Sequence, residues 1–421
     1  MPTSSRQPTS VGILIAVAYI VAVLTTADYP RRIWAGDAPV GLADTYRWTL
    51  VAGAGPPLLA GLLLLSRSSW TSRLAMGVWG VMTTNLLFEF ISVLGSAAPL
   101  RGLVLYVARD AALWLLLTAL IRGRSRRPSS WILVTLIGVA LLQAVIALVQ
   151  GLSALPTGSA WLAERWSFAT LAEGERAQGL TAYPTLLGAL IATIAPLVAL
   201  TFARKWLWVS IWVLMCAAVL ASGARASGLA MAAGLAVAVV VATTAPTTRS
   251  RRTLILVVLT TALVGAVIGW QPDVLMRLGG TGGPERITTQ EIAWELWHQN
   301  PWWGAGSGNF SFAARQLPDY ASWQSRIVPV HNWLLLRLAE GGTAGGITAV
   351  LLWLGPVLWL LLRGSGHKDA VLAASFTALA VSQWFDYEML YWLGGAVIQI
   401  LLLALWVGPW HPAPPRTQPS L

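Results

Sequence analysis

The chain has 421 residues, of which 56% are hydrophobic and 11% charged, with a net charge of +11 and a mean hydropathy of +0.66. A soluble domain carries about 25% charged residues, so this composition excludes an ordinary soluble globule, and the long apolar runs define a polytopic membrane protein. The positive surplus is almost all arginine and reads as the bias of cytoplasmic loops; no soluble basic domain accompanies it, which argues against nucleic acid as a partner.

The backbone in hydrocarbon must pair internally, and the chain lacks the alternating ten-residue segments of a membrane barrel, so the spans are expected to be helices. Apolar run length predicts an all-α protein with about twelve spans, near 11–27, 46–66, 74–95, 102–121, 131–152, 182–203, 206–223, 226–245, 253–270, 332–362, 370–386 and 388–408. The first run follows Arg6 and has the length of a signal peptide, but the spans behind it favour an uncleaved helix. Arginine and lysine crowd alternate short connections: Arg67 and Arg73, Arg122 to Arg127, Arg204 and Lys205, Arg249 to Arg252, Arg363 and Lys368. These loops are expected to be cytoplasmic, which puts both termini inside. The single cysteine, Cys216, lies in an apolar run, so neither a disulfide within the chain nor a cysteine metal site is expected.

Two outward loops are long, 153–181 and 271–330. In the second, Gly282-Gly283-Pro284 reads as a stop followed by a helix start, and 285–299 as a short amphipathic helix at the outer interface with Ile287, Trp294 and Trp297 on one face. Asn300-Pro301 ends it, and Gly304, Gly306 and Gly308 suit a tight loop with close backbone approach. The chain reads as one membrane domain, 1–421, with a Pro-rich tail at 411–421 expected to be disordered.

Chemistry concentrates at the outer face. His331 and Asn332 follow a polar loop and open a helix; His331 is either an interfacial histidine bonded to a carbonyl or a general base able to take a proton from a sugar hydroxyl. Arg176, Arg225 and Arg286 lie on the side that the positive-inside rule disfavours for arginine, and guanidinium forks match phosphate oxygens. Two or three of them converging would hold a diphosphate and stabilise it as a leaving group. Trp302, Trp303, Trp323 and Trp333 stand near this site in sequence, as belt residues or as platforms for a sugar or lipid head group. Glu89, Arg109 and Asp110 fall within spans; Arg109 pairs with Glu89 or Asp110, or lines a polar cavity to which Asp386 and Glu388 also belong. No Asp-x-Asp stands in an outer loop and no His/Cys cluster has ligand spacing, so no metal site is expected.

Four segments carry a family resemblance. H-N-x9-G-x-x-G, from His331 and Asn332 to Gly342 and Gly345, resembles the signature of bacterial O-antigen ligases. N-P-W-W-G-A-G-S-G-N-F (300–310) and R-A-Q-G-L-T-A-Y-P-T-L-L-G (176–188) are similar to runs of the wider O-antigen ligase and polymerase superfamily, with Thr185 where Asn is common. S-G-A-R-A-S-G (222–228) resembles a third, with Ala224 in place of a second serine.

The resemblance implies a GT-C-like glycosyltransferase of the bacterial inner membrane, working on the periplasmic face without metal, nucleotide sugar or other cofactor. The donor would be a glycan on undecaprenyl diphosphate and the acceptor lipid A–core oligosaccharide. His331, Arg225 and Arg286 would be catalytic, and Arg176, Asn332, Trp302, Trp303 and Gly306 would bind substrate. A polysaccharide polymerase of the same superfamily is the near alternative. A transporter is the distant one; it predicts inverted repeats with broken helices, and the sequence has no internal repeat.

Overall fold

The structure, a computed structural model, describes residues 7–25, 49–65, 72–122, 128–153, 176–181, 183–201, 204–243, 283–318, 329–385 and 393–408. Among these residues all regular secondary structure is helical. The helices are α1 Gln7–Thr25, α2 Gly55–Leu64, α3 Arg73–Leu94, α4 Pro99–Arg122, α5 Pro128–Ser153, α6 Pro184–Leu200, α7 Lys205–Ala221, α8 Arg225–Thr243, α9 Gly283–Gln299, α10 Phe310–Ala314, α11 Trp333–Arg363, α12 Gly366–Phe385 and α13 Leu393–Val407. The expected ninth span, Asp386, Glu388, Trp323 and the tail lie outside the described residues. Five helices, α3, α4, α5, α8 and α11, are long and apolar enough to cross a membrane, and α1, α2, α6, α7 and α13 are shorter apolar helices.

Local chemistry sets the ends. Ser72 caps α3 by accepting from the Ala75 amide at 3.1 Å, and prolines stand in the first turns of α2, α4 and α6, where a missing amide hydrogen costs nothing. The most extensively packed helix pair is α8 with α12. It is built on small residues: Ala230 meets Ala378, and a Cβ on Gly234 would stand 2.7 Å from the Ala374 carbonyl oxygen. Small residues four apart let two backbones approach, which is how membrane helices gain packing energy without a hydrophobic drive. The register runs antiparallel, so its continuation brings Arg225 level with Gln383 at the far end of α12.

Helix α11 is broken, where the sequence predicts one continuous span. Gly342 has φ 63° and ψ −164°, and the carbonyls released by the break are taken by the 300–310 loop. Ala305 N donates to Ala339 O at 2.8 Å, Gly306 N to Glu340 O at 2.8 Å, and Thr343 N to Pro301 O at 2.7 Å. Irregular backbone is tolerated in such a place only when its polar groups are met in this way. Gly304, Gly306 and Gly308 all have positive φ, as the tight loop required.

The break relocates the head of the helix. Helices α11 and α12 are joined by a short turn and pack together, so residue 343 stands level with the end of α12. A straight α11 would carry Asn332 about 16 Å beyond that level. Instead Asn332 Nδ2 donates to the Trp384 carbonyl at 3.2 Å, so the first half of α11 is folded across the end of the bundle.

A Cβ on Gly342 would clash with the Trp302 backbone, whereas one on Gly341 meets nothing within 4 Å. Gly342→Ala is therefore expected to lower the unfolding midpoint in detergent, with about 1–3 kcal/mol from backbone strain alone. Gly341→Ala should leave the midpoint unchanged or raise it.

Candidate functional site at the His331 end of the bundle

Segment 176–181 has no regular secondary structure and is held by side chains instead. Gln150 on α5 accepts from the amides of Gln178 and Gly179 at 3.2 and 2.8 Å and donates to the Gly179 carbonyl at 2.9 Å. Gln143 accepts from Leu180 N at 2.7 Å. Two glutamines on one helix face thus meet the buried amides that an extended segment leaves open.

The same segment docks on the turn that opens α8. Ala177 N donates to Ala221 O at 3.0 Å, and Arg176 Nε donates to Ser222 O at 2.9 Å. Gly223 takes φ 59°, and a Cβ there would come within 3.0 Å of Arg176 Nε. The R-A-Q-G and S-G-A-R segments, 46 residues apart at this hydrogen bond, therefore form one unit. Arg176 and Arg225 are both exposed on it.

His331 is half-buried and follows the fully buried Val330. Asn332 caps α11, its Oδ1 accepting from Leu335 N at 3.0 Å, while its Nδ2 makes the bond to Trp384 described above. Because Trp384 follows Gln383, which lies level with Arg225, the α8 start and the α11 head share one end of the bundle. Helix α9 runs parallel to the first half of α11: Trp297 Nε1 reaches Thr343 Oγ1 at 3.3 Å, and Ile292, Ala293 and Leu296 pack with Leu335, Leu336 and Ala339. Its first turn, with Arg286, is then at the His331 end; the Arg286 side chain lies outside the described residues.

The amphipathic face of α9 differs from the expected one. The buried positions are Thr289, Ile292, Ala293 and Leu296, and the helix packs on protein, while Trp294 and Trp297 are half-buried and stack on each other at 5.1 Å. Trp294 flanks the same apolar cluster, and the Ile287 side chain lies outside the described residues.

The other predicted binding residues belong to the helix break. Gly306 is buried, with its amide on Glu340 O and Ser96 packed against its α-carbon. Trp302 and Trp303 are 68% and 38% exposed, and Trp303 packs on Phe88 with ring centroids 5.8 Å apart. Measured along α11, the break is about 16 Å from His331. Trp333 is a core residue, 1% exposed and stacked on Trp353 at 5.6 Å.

A polar cleft of about 530 Å³, open mouth included, lies deeper, lined by Asn85, Glu89, Arg109, Asp110, Arg337 and Gln399 among apolar residues. Arg109 pairs with Asp110 at 2.6 Å, as one of the sequence alternatives had it. The partner of Glu89 is Arg337, at 2.8 Å, a residue the sequence reading passed over. An arginine inside an apolar helix requires a buried carboxylate, and that signal was present. Among the described residues, no three His, Cys, Asp or Glu side chains come together as a metal-ligand set.

These features define a multi-pass helical membrane protein in which the segments carrying Arg176 and Arg225 are joined by a hydrogen bond. Residues 209–350, from α7 through the break in α11, match the family model described as O-antigen ligase, and this match supports an O-antigen ligase family assignment. No curated protein matches the chain. The family, of ligase and polymerase type, supports a general transferase role, and with the apolar helices it points to lipid-linked glycans as the substrate class.

Proposed function

We propose that the protein is an O-antigen ligase, moving a glycan from undecaprenyl diphosphate to lipid A–core oligosaccharide at the periplasmic face of the inner membrane. His331 takes the proton of the acceptor hydroxyl, and the hydroxyl oxygen attacks the anomeric carbon as the bond to the diphosphate oxygen breaks. Inversion at that carbon follows from direct attack. The leaving diphosphate is held by Arg225 and Arg286, with Arg176 as a third contact, and no metal is needed because the guanidinium charges meet the developing negative charge. Asn332 orients the start of α11. Trp302, Trp303 and the Gly306 loop serve the lipid chain and the frame.

The observation that carries this reading is the bond from Arg176 to Ser222, which joins two arginine-bearing segments at the bundle end where Asn332 ties down the head of α11. The test is transfer by the purified chain in detergent, given lipid-linked donor and lipid A–core, with chelator present and no nucleotide. The expected product is lipid A–core carrying the glycan, with Arg225→Ala and Arg176→Ala each raising the donor KM. Longer lipid-linked chains that leave lipid A–core unused would make the protein a polymerase, and an unconsumed donor would remove the transferase reading.

A further inference from the structure

One asparagine on α3 holds both halves of the broken helix α11. Asn85 Oδ1 accepts from Arg337 Nη2 at 2.9 Å, before the break at Gly342, and from Thr348 Oγ1 at 2.8 Å, beyond it. Glu89 Oε1 takes Arg337 Nη2 at 2.8 Å and Asn85 Nδ2 at 3.0 Å, which turns the amide so that its oxygen faces the two donors. Ser92 Oγ donates to the Glu340 carbonyl at 2.8 Å. Asn85, Glu89 and Ser92 occupy one face of α3, at the spacing that stacks side chains on a helix.

Opening the bend would draw Arg337 and Thr348 apart, and Asn85 could not keep both bonds. The bend is also what folds the head of α11 down onto the end of α12. We propose that Asn85, Glu89, Arg337 and Thr348 form a positioning device: they fix the angle at Gly342 and thereby the place of His331. As a statement about catalysis, this rests on the base role proposed for His331. A displacement of 1 Å can cost about 100-fold in rate, so a network that touches no substrate can still govern turnover.

Thr348→Val removes the tie beyond the break at nearly constant volume, and Thr348→Ser keeps the hydroxyl. Two readouts are paired on the full chain in detergent. The first is the rate of His331 modification by diethyl pyrocarbonate, followed by mass spectrometry with the exposed His298 and His367 as internal references. The second is steady-state transfer. Thr348→Val is expected to change the His331 labelling rate at least about 3-fold with the references unchanged, and to lower kcat about 10-fold or more at a donor KM within about 2-fold of wild type. Thr348→Ser should restore both. Unchanged His331 labelling and kcat in Thr348→Val, a Ser variant as impaired as the Val variant, or all three histidines changing together would each overturn the proposal. The labelling does not use the reaction: a wild-type chain that transfers no glycan removes the base role, while a shift at His331 alone still upholds the coupling to its position.

Discussion

His331→Ala is expected to lower the rate of glycan transfer by about 100- to 10,000-fold, the range in which a positioned general base contributes. The bonds that seat the head of α11 are made by the neighbouring residue and survive the substitution. The cap of α11 belongs to Asn332, as does the tie to Trp384, and neither bond involves the His331 side chain. The unfolding midpoint should therefore match wild type while turnover collapses. Asn332→Ala should do both kinds of damage, since it loses the cap, worth about 1 kcal/mol, together with the tie that seats the helix head. Side-by-side turnover and thermal unfolding of the two variants separate chemistry from placement.

The second large effect is on stability. Glu89 and Arg337 are 3% and 5% exposed and make their ion pair deep in the bundle. Arg337→Met leaves a buried carboxylate facing Asn85 with its charge partner gone, and removing one member of such a pair costs about 3–5 kcal/mol. Glu89→Gln combined with Arg337→Met removes both charges and should recover most of that loss, because replacing a whole buried pair by uncharged groups is often close to neutral. Thermal unfolding of the single and double variants in one detergent checks this. If the double variant is no better than Arg337→Met, the loss lies in packing and not in the orphaned charge.

Helix positions are legible because hydrocarbon leaves few options: an apolar run must become a helix, and Gly283-Pro284 and Asn300-Pro301 mark a start and an end. The four motif segments are legible as carriers of a family resemblance, but their joining is not. Nothing in R-A-Q-G or S-G-A-R states that Arg176 will bond to Ser222, since that contact depends on Gln143 and Gln150 from another helix. The same holds for Gly342. As a residue of an apolar run it read as mid-span, and only the loop amides at Ala305 and Gly306 make a break there affordable. For Gly306 the residues alone predict a tight loop with close backbone approach, and the partners in that approach, Ser96 and Glu340, come from distant parts of the chain.

The proposed mechanism requires the donor diphosphate to sit at the His331 end of the bundle. A photoreactive analogue of the undecaprenyl-diphosphate glycan, with its reactive group beside the diphosphate, would be irradiated with the purified chain and the modified peptides mapped by mass spectrometry. Modification is expected within 176–181, 222–228 and 329–333, competed away by unlabelled donor. Modification concentrated at the opposite end of the bundle, around Arg204 and Arg363, would contradict it.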